Sequence, residues 1–312
     1  MDRIVDISTD NVHVSAHRGV LIVALQGDEL GRVPLDDVAA LIVHAHGVTW
    51  TTNLVVNLAE RGAMMVLCAA NHAPVAMTIP IDGHHAQNAR FRAQWDTPKP
   101  LYKQAWKAIV AAKIRNQASL LAALGRVEAD ALSFMADRVR SGDPDNVEAQ
   151  AARRYWSALM GPNFRRDRAA DGPNALLNYG YTIMRSMVAR SVVAAGLHPT
   201  IGLHHANRLN AFALADDLVE PFRPLVDSVV RQMMDEGTKE VDRAAKSRLA
   251  ALISADLDLM GATSPVSVAA QRLAQSLAAS FESGLLALAI FDPPPPLAWS
   301  AIARHTPGGE TS

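Results

Sequence analysis

The sequence holds a single cysteine among 312 residues, so neither an internal disulfide nor a cysteine-rich zinc site can form. That residue, Cys68, lies in the apolar run from Met64 to Ala70 and reads as core, since free cysteine is among the most buried residue types. No apolar run reaches the roughly 18 residues of a membrane span. Met1-Asp2-Arg3 leads straight into strand-like sequence, so no signal peptide is expected. Glycine-rich phosphate-cradling loops and internal repeats are also missing. On these absences the chain is expected to be cytoplasmic, with no membrane span. What is present suffices for a folded protein: 49% of the residues are apolar, too many for disorder, and the length allows two domains with proper cores.

Net charge is only −1, but it is unevenly spread. Residues 1–85 carry four Lys/Arg against nine Asp/Glu, residues 86–190 carry 17 against nine, and residues 191–312 carry nine against 13. A basic middle beside acidic flanks suits phosphate handling, because Lys and Arg neutralise a nucleic-acid backbone. The same charges also read as solvated helix faces.

Residues 3–80 form short β-prone stretches, Ile4–Ile7, Val12–Val14, Val20–Leu25, Gly31–Val33, Ala39–Val43, Met64–Leu67 and Ala73–Ile79, broken by polar and glycine turns. Thr52–Arg61 reads as a short helix ended by Gly62. His44 and His46 share one face of a strand, but without a third nearby ligand they read as structural, as do His84 and His85. Asp82-Gly83 and Pro98-Lys99-Pro100 bound a connector.

Beyond it the pattern is helical: 101–124, 126–140, about 146–160, 174–195, 224–236, 239–255 and 265–291. Glu148 has two readings. With Asp145 as N-cap it falls where a capping box places glutamate, and the same position aims an acid from a fixed helix start toward a metal. Gly180, between Tyr179 and Tyr181, costs about 1 kcal/mol against alanine in a helix, so a close approach of backbone or ligand is expected there. Pro293–Pro296 and the Gly/Thr/Ser end read as a stiff spacer and loose tail.

The densest chemistry lies at 202–224, where His204-His205 precedes Asp216, Asp217 and Glu220. In a helix Asp217 and Glu220 share a face, and like charges there repel unless a cation intervenes. One imidazole with carboxylates is a donor set for Mn²⁺ or Mg²⁺. The same residues also fit an exposed acidic helix face beside a histidine turn.

Three ordered segments carry a resemblance. They are Glu148 with Ala151-Ala152 and Tyr155-Trp156; Asn178-Tyr179-Gly180-Tyr181 with Gly196-Leu197-His198-Pro199; and Gly202-Leu203-His204-His205 with Leu214 through Pro224, reading LADDLVEPFRP. Together they resemble the CRISPR-associated protein 1 family, the integrase of CRISPR adaptation. The wording of the third segment, the paired histidines and Lys113-Ile114 with Asn116-Gln117 are similar to the branch found in type II systems.

The resemblance implies an α+β fold: a small N-terminal β-rich dimerisation domain (1–85), a linker (86–100), a larger all-α catalytic domain (101–292) and a Pro-rich flexible tail (293–312). It implies metal-dependent transesterification, in which the 3′-hydroxyl of a DNA fragment attacks a repeat phosphodiester and inserts a new spacer. Residue by residue, the family's catalytic metal ligands match Glu148, His205 and Glu220, holding Mg²⁺ or Mn²⁺, with Asp217 behind them. Many members have Asp at the position of Glu220 and Gly at that of Ala149. Lys103, Lys107, Lys113, Arg153, Arg154, Arg165, Arg166, Tyr179 and Arg208 are the expected DNA contacts. Implied partners are double-stranded DNA, a second copy of the chain, a dimer of the second CRISPR-associated protein, and the type II effector with accessory adaptation proteins. Two other functions fit the residues: a stand-alone metal nuclease acting on branched DNA, and a non-enzymatic DNA-binding scaffold whose acids cap helices.

Overall fold

In the computed structural model, residues 3–69, 74–78, 80, 83–167, 169–205 and 210–306 are described. The chain divides into two compact units, Met1–Gly83 and His84–Ser312. The first contains β1 (Arg3–Ile7), β2 (His13–His17), β3 (Val20–Leu25), β4 (Asp28–Pro34), β5 (Val38–Val43), β6 (Thr49–Trp50), α1 (Thr52–Glu60), β7 (Met64–Cys68) and β8 (Pro74–Met77). One sheet runs β1-β5-β7-β8, with β5 parallel to both neighbours and β8 antiparallel. The other runs β4-β3-β2-β6. β5 is buried along its whole length, as its unbroken apolar sequence requires of a central parallel strand. Leu21, Leu41, Leu54, Leu58 and Met65 join both sheets and α1 in one core. His44 Nε2 lies 3.0 Å from Asp6 Oδ1, which ties this histidine to β1 in keeping with its structural reading.

The second unit contains α2 (Gln87–Asp96), α3 (Lys99–Ala123), α4 (Glu128–Asp137), α5 (Val147–Met160), α6 (Pro173–Ala194), α7 (Ala213–Leu218), α8 (Arg223–Asp235) and α9 (Arg243–Ala251). After α9 come strands β9 (Asp256–Leu259) and β10 (Ala262–Pro265), then α10 (Val266–Ser283) and α11 (Pro296–Ala303). Mixed α+β is therefore the fold class, with one correction: this unit is not all-helical, because β9 and β10 pair as an antiparallel hairpin.

Three segments differ from expectation. The connector 86–100 is mostly α2, whose buried Gln94 donates to the carbonyls of His198 (3.1 Å) and Ile201 (2.9 Å). The tail is not loose over 296–303: α11 buries Trp299 and Ile302, and Trp299 Nε1 donates to Ser119 Oγ at 2.9 Å. The helix expected to reach Phe291 stops at Ser283, where Gly284 takes the left-handed conformation of a C-cap. Among the described residues no helix is long and apolar enough to cross a membrane.

Candidate active site

α3 is the spine of the second unit, packing against α4, α5, α8 and α11. Its buried face is apolar except at Lys113, Asn116 and Gln117. Asn116 Nδ2 donates to the Pro221 carbonyl at 2.8 Å. This bond pins the short 3-10 turn Glu220–Phe222 against α3, and one turn back on the same helix stands Lys113.

Glu148 is fixed from the other side. Asn146, left-handed at φ 52°, caps α5, and Asp143 takes the backbone N–H of Val147 (2.8 Å) and Glu148 (3.0 Å). The capping box headed by Asp145 is therefore a misreading: Asp145 pairs with Arg140, and the Glu148 carboxylate is released from capping. It reaches Lys113 Nζ at 2.6 Å, which in turn lies 2.5 Å from Glu220 Oε2. Arg223 Nε approaches the other Glu220 oxygen at 2.9 Å.

Burial pushes the Glu220 carboxyl up, but Arg223 and Lys113 outweigh it and hold it below the usual glutamate range. Burial likewise lowers the Lys113 ammonium, and Glu220 with Glu148 more than reverses this. Both groups are charged at neutral pH.

His205 lies near enough to Glu220 for their charges to act on each other. Gly202 opens its loop, and a side chain there would meet Asp217 Oδ2 and the His205 carbonyl at 2.8 Å, so only glycine fits. Asp217, wholly buried on α7, gathers the loop: Oδ2 accepts the N–H of Leu203 (2.5 Å) and His204 (3.1 Å), and Oδ1 accepts that of His205 (3.3 Å). Oδ1 also lies 2.5 Å from His205 Nδ1. Asp217 and Glu220 thus face different partners, and their repulsion is met by separate hydrogen-bond and cation sets. That hydrogen bond raises the His205 pKa above 6.5 against the opposing pull of burial, and the charges of Asp217, Glu220 and Asp216 add to the rise. The Trp106 ring stacks on His204, 4.6 Å between centroids and 3° from parallel, and meets His205 edge-on.

Behind the acids, Arg223 lies over the Tyr181 ring at 4.8 Å, and Tyr181 and Tyr155 both donate to buried Asp227. Asp216 pairs with Arg185.

Among the described residues no three His, Cys, Asp or Glu side chains are already grouped as a metal site. The donor types nevertheless suit a hard divalent cation. Two carboxylates converge on one positive charge, here the Lys113 ammonium, and the neighbouring imidazole keeps Nε2 free because Nδ1 is taken. The oxygens facing Lys113 are no farther apart than its 2.5 and 2.6 Å contacts laid end to end.

Of the expected DNA contacts, Lys103, Lys107, Arg153, Arg154 and Arg165 are exposed. Lys113 is not a surface contact, being buried between the acids. Tyr179 is fully buried under Lys246, so it cannot meet a strand end in this arrangement. Arg166 is half-buried and bonded to Asn174 (2.8 Å) and Asn178 (2.6 Å). Arg208 lies outside the described residues. Sequence reasoning missed Asp143, Trp106 and Asp227, and named Asn116 only as part of a motif, without a role. For Asn116 the sequence held two signals, its place in the Lys113-Ile114 and Asn116-Gln117 motif and its polar spacing one turn from Lys113 on a largely apolar face.

A sequence model described as CRISPR associated protein Cas1 matches residues 5–256. The chain belongs to the Cas1 family.

It is 39% identical over 225 residues to the CRISPR-associated endonuclease Cas1 of Neisseria meningitidis serogroup C (strain 8013), covering 72% of this chain and 73% of that one. It is also similar to a CRISPR-associated endonuclease Cas1 of Pyrobaculum aerophilum, 28% identical over 289 residues, 87% of this chain and 97% of the relative. Among solved structures, a casposase bound to integration product superposes with a TM-score of 0.77 at 17% identity, covering 92% of each chain. A Cas1 protein from Thermotoga maritima gives 0.67 at 15% identity, covering 93% of this chain and 99% of that one. At such identities the structural likeness speaks for the Cas1 fold.

Proposed function

We propose that this Cas1 protein is a metal-dependent DNA integrase that joins short DNA fragments into a CRISPR repeat by transesterification. The observation that carries this reading is the convergence of Glu148 and Glu220 on a single cation, with His205 held beside them by Asp217. Membership in a family whose relatives are named endonucleases supports phosphodiester chemistry, and the structural neighbour bound to an integration product supports joining.

Glu148, His205 and Glu220 would hold Mg²⁺ or Mn²⁺, which supplies charge neutralisation at the phosphate and acidifies the attacking hydroxyl. The chain's own residues do the rest. Asp217 fixes the imidazole tautomer by accepting the hydrogen bond of Nδ1–H, so that Nε2 is presented with its lone pair. Arg223 keeps Glu220 ionised and aimed. Exposed Lys103 and Lys107 on α3 and Arg153 and Arg154 on α5, two helices in contact, offer a basic path that positions DNA through its phosphates without reading sequence. A second copy of the chain, a dimer of the second CRISPR-associated protein and the type II effector are the proposed assembly partners; one structural neighbour is a Cas6-RT-Cas1–Cas2 complex.

Purified protein with its partner, Mn²⁺, a short duplex and a repeat-bearing plasmid should yield joined products, and Glu148→Ala should abolish them. Joining undiminished by that change rejects the assignment. Cleavage without joining in the partner's absence points instead to a stand-alone nuclease.

A further inference from the structure

Glu220 meets a cation on each oxygen, Arg223 on one and Lys113 on the other, while Lys113 also bridges to Glu148. We propose that Lys113 is an exchangeable internal counter-cation: its ammonium holds Glu148 and Glu220 together in the metal-free protein, and a divalent ion displaces it on binding. Lys113 has this role only if Glu148 and Glu220 are metal ligands, as read above.

Three observations carry the proposal. The first is position. Lys113 Nζ lies 2.6 Å from Glu148 Oε1 and 2.5 Å from Glu220 Oε2, so a metal held by both carboxylates would compete with Nζ for these oxygens. Metal–oxygen distances of about 2.1 Å leave no room for the ammonium between the same atoms.

The second is a difference between the two cations on Glu220. Arg223 is anchored: it sits three residues from Glu220, and its planar guanidinium lies 4.8 Å from the centroid of the Tyr181 ring, whose hydroxyl is bonded to Asp227. Lys113 is a point charge on a flexible four-carbon stem, and among the described residues its ammonium has only the two carboxylates as acceptors. When a third cation arrives, Lys113 is the one able to leave.

The third is charge. Lys113 and Arg223 balance Glu148 and Glu220 in a site that is mostly buried, where unpaired carboxylates repel one another strongly. The metal-free protein therefore needs a cation at this point, and the chain supplies its own. The consequence is a preorganised acid pair with a built-in competitor. Apparent metal affinity falls by the fraction of molecules in which the ammonium still occupies the gap.

The test uses the full chain and Mn²⁺ alone. Lys113→Met should bind Mn²⁺ roughly tenfold or more tightly than the unaltered protein, since the competing occupant is gone. The metal-free variant should melt at a lower temperature and recover on adding Mn²⁺. Amine acetylation read by peptide mass spectrometry gives a measurement on the unaltered protein, which decides the matter even where the variant fails to fold. Lys113 should be protected without metal and labelled severalfold more at saturating Mn²⁺. Lys113 remaining protected at saturating Mn²⁺ overturns the exchange whatever the affinity of the variant, and equal affinity in variant and parent overturns it as well. Glu148→Gln and Glu220→Gln separate the two levels. Binding that needs both acids but ignores Lys113 sinks the exchange alone; binding indifferent to both acids removes the metal-ligand reading and the exchange with it.

Discussion

His205 Nδ1 lies 2.5 Å from Oδ1 of Asp217, a carboxylate with no exposed surface on the first helix after the histidine loop. The pairing does two jobs, because the same carboxylate also takes the backbone N–H of residues 203, 204 and 205. Asp217→Asn removes the charge and replaces one acceptor with a donor. It should lower stability by about 2–4 kcal/mol, the range for breaking a buried charged hydrogen-bond network. It should also weaken Mn²⁺ binding, since the imidazole loses its fixed tautomer. Urea unfolding and Mn²⁺ titration read the two effects; an unchanged unfolding midpoint would show that the loop is held by something other than Asp217.

The raised pKa of His205 sets a pH dependence with two opposite signs. A histidine whose folded-state pKa lies above its unfolded value stabilises the fold fully below about 6.5, and that contribution fades as pH rises through the folded-state value. Metal binding runs the other way, because only the neutral imidazole can ligate. Mn²⁺ affinity should therefore rise with pH from an acid limb lying above 6.5, and Asp217→Asn should move that limb to lower pH. Calorimetric titration at a series of pH values checks this; a flat profile would remove His205 from the ligand set.

Much of this architecture was readable in advance, and the failures share one cause. Strands such as Val20–Leu25 and Val38–Val43 announce themselves through β-branched runs between polar turns, which is local information. Helix α2 escaped notice because its sequence is polar, and what secures it is Gln94 bonding to carbonyls more than 100 residues away. The proline run before α11 read as a spacer, yet Pro296 is a good first helical residue and Trp299 finds its partner on α3. The site divided similarly. Glu148, His205, Asp217 and Glu220 were singled out through family motifs as candidates. Lys113 was read as a DNA contact within a family-like motif, because its pairing depends on acids 35 and 107 positions away.

Gly180 tests the packing that backs the site. A methyl group there would collide with Val226 Cγ1 on α8 and stand 3.1 Å from Leu249 Cδ2 on α9. The expected close approach is thus between helix backbones and side chains. Alanine gains about 1 kcal/mol in helix propensity, against roughly 1–3 kcal/mol for overpacking a filled core. Gly180→Ala should come out neutral to destabilising, by up to about 2 kcal/mol, in chemical denaturation. A stabilised variant would mean that α6 and α8 stand farther apart.

Asp227 gives the last test. It is almost wholly buried and accepts hydrogen bonds from Tyr155 (2.8 Å) and Tyr181. Burial lifts its pKa from 3.8 to about 6, even though both tyrosines and Arg223 pull it down. A carboxyl raised in this way binds its proton more tightly folded than unfolded, so stability falls as pH climbs from about 4 to about 6 and stays reduced above that range. The shift corresponds to a change on the order of 2–3 kcal/mol. Asp227→Asn keeps the shape, accepts one tyrosine hydroxyl through its oxygen and carries no charge to bury. The unfolding free energy of the parent relative to this variant should therefore drop by that amount between acidic and mildly alkaline pH. Parallel pH profiles for the two proteins would show that Asp227 stays ionised across the range, with Arg223 then as the cation that keeps it so.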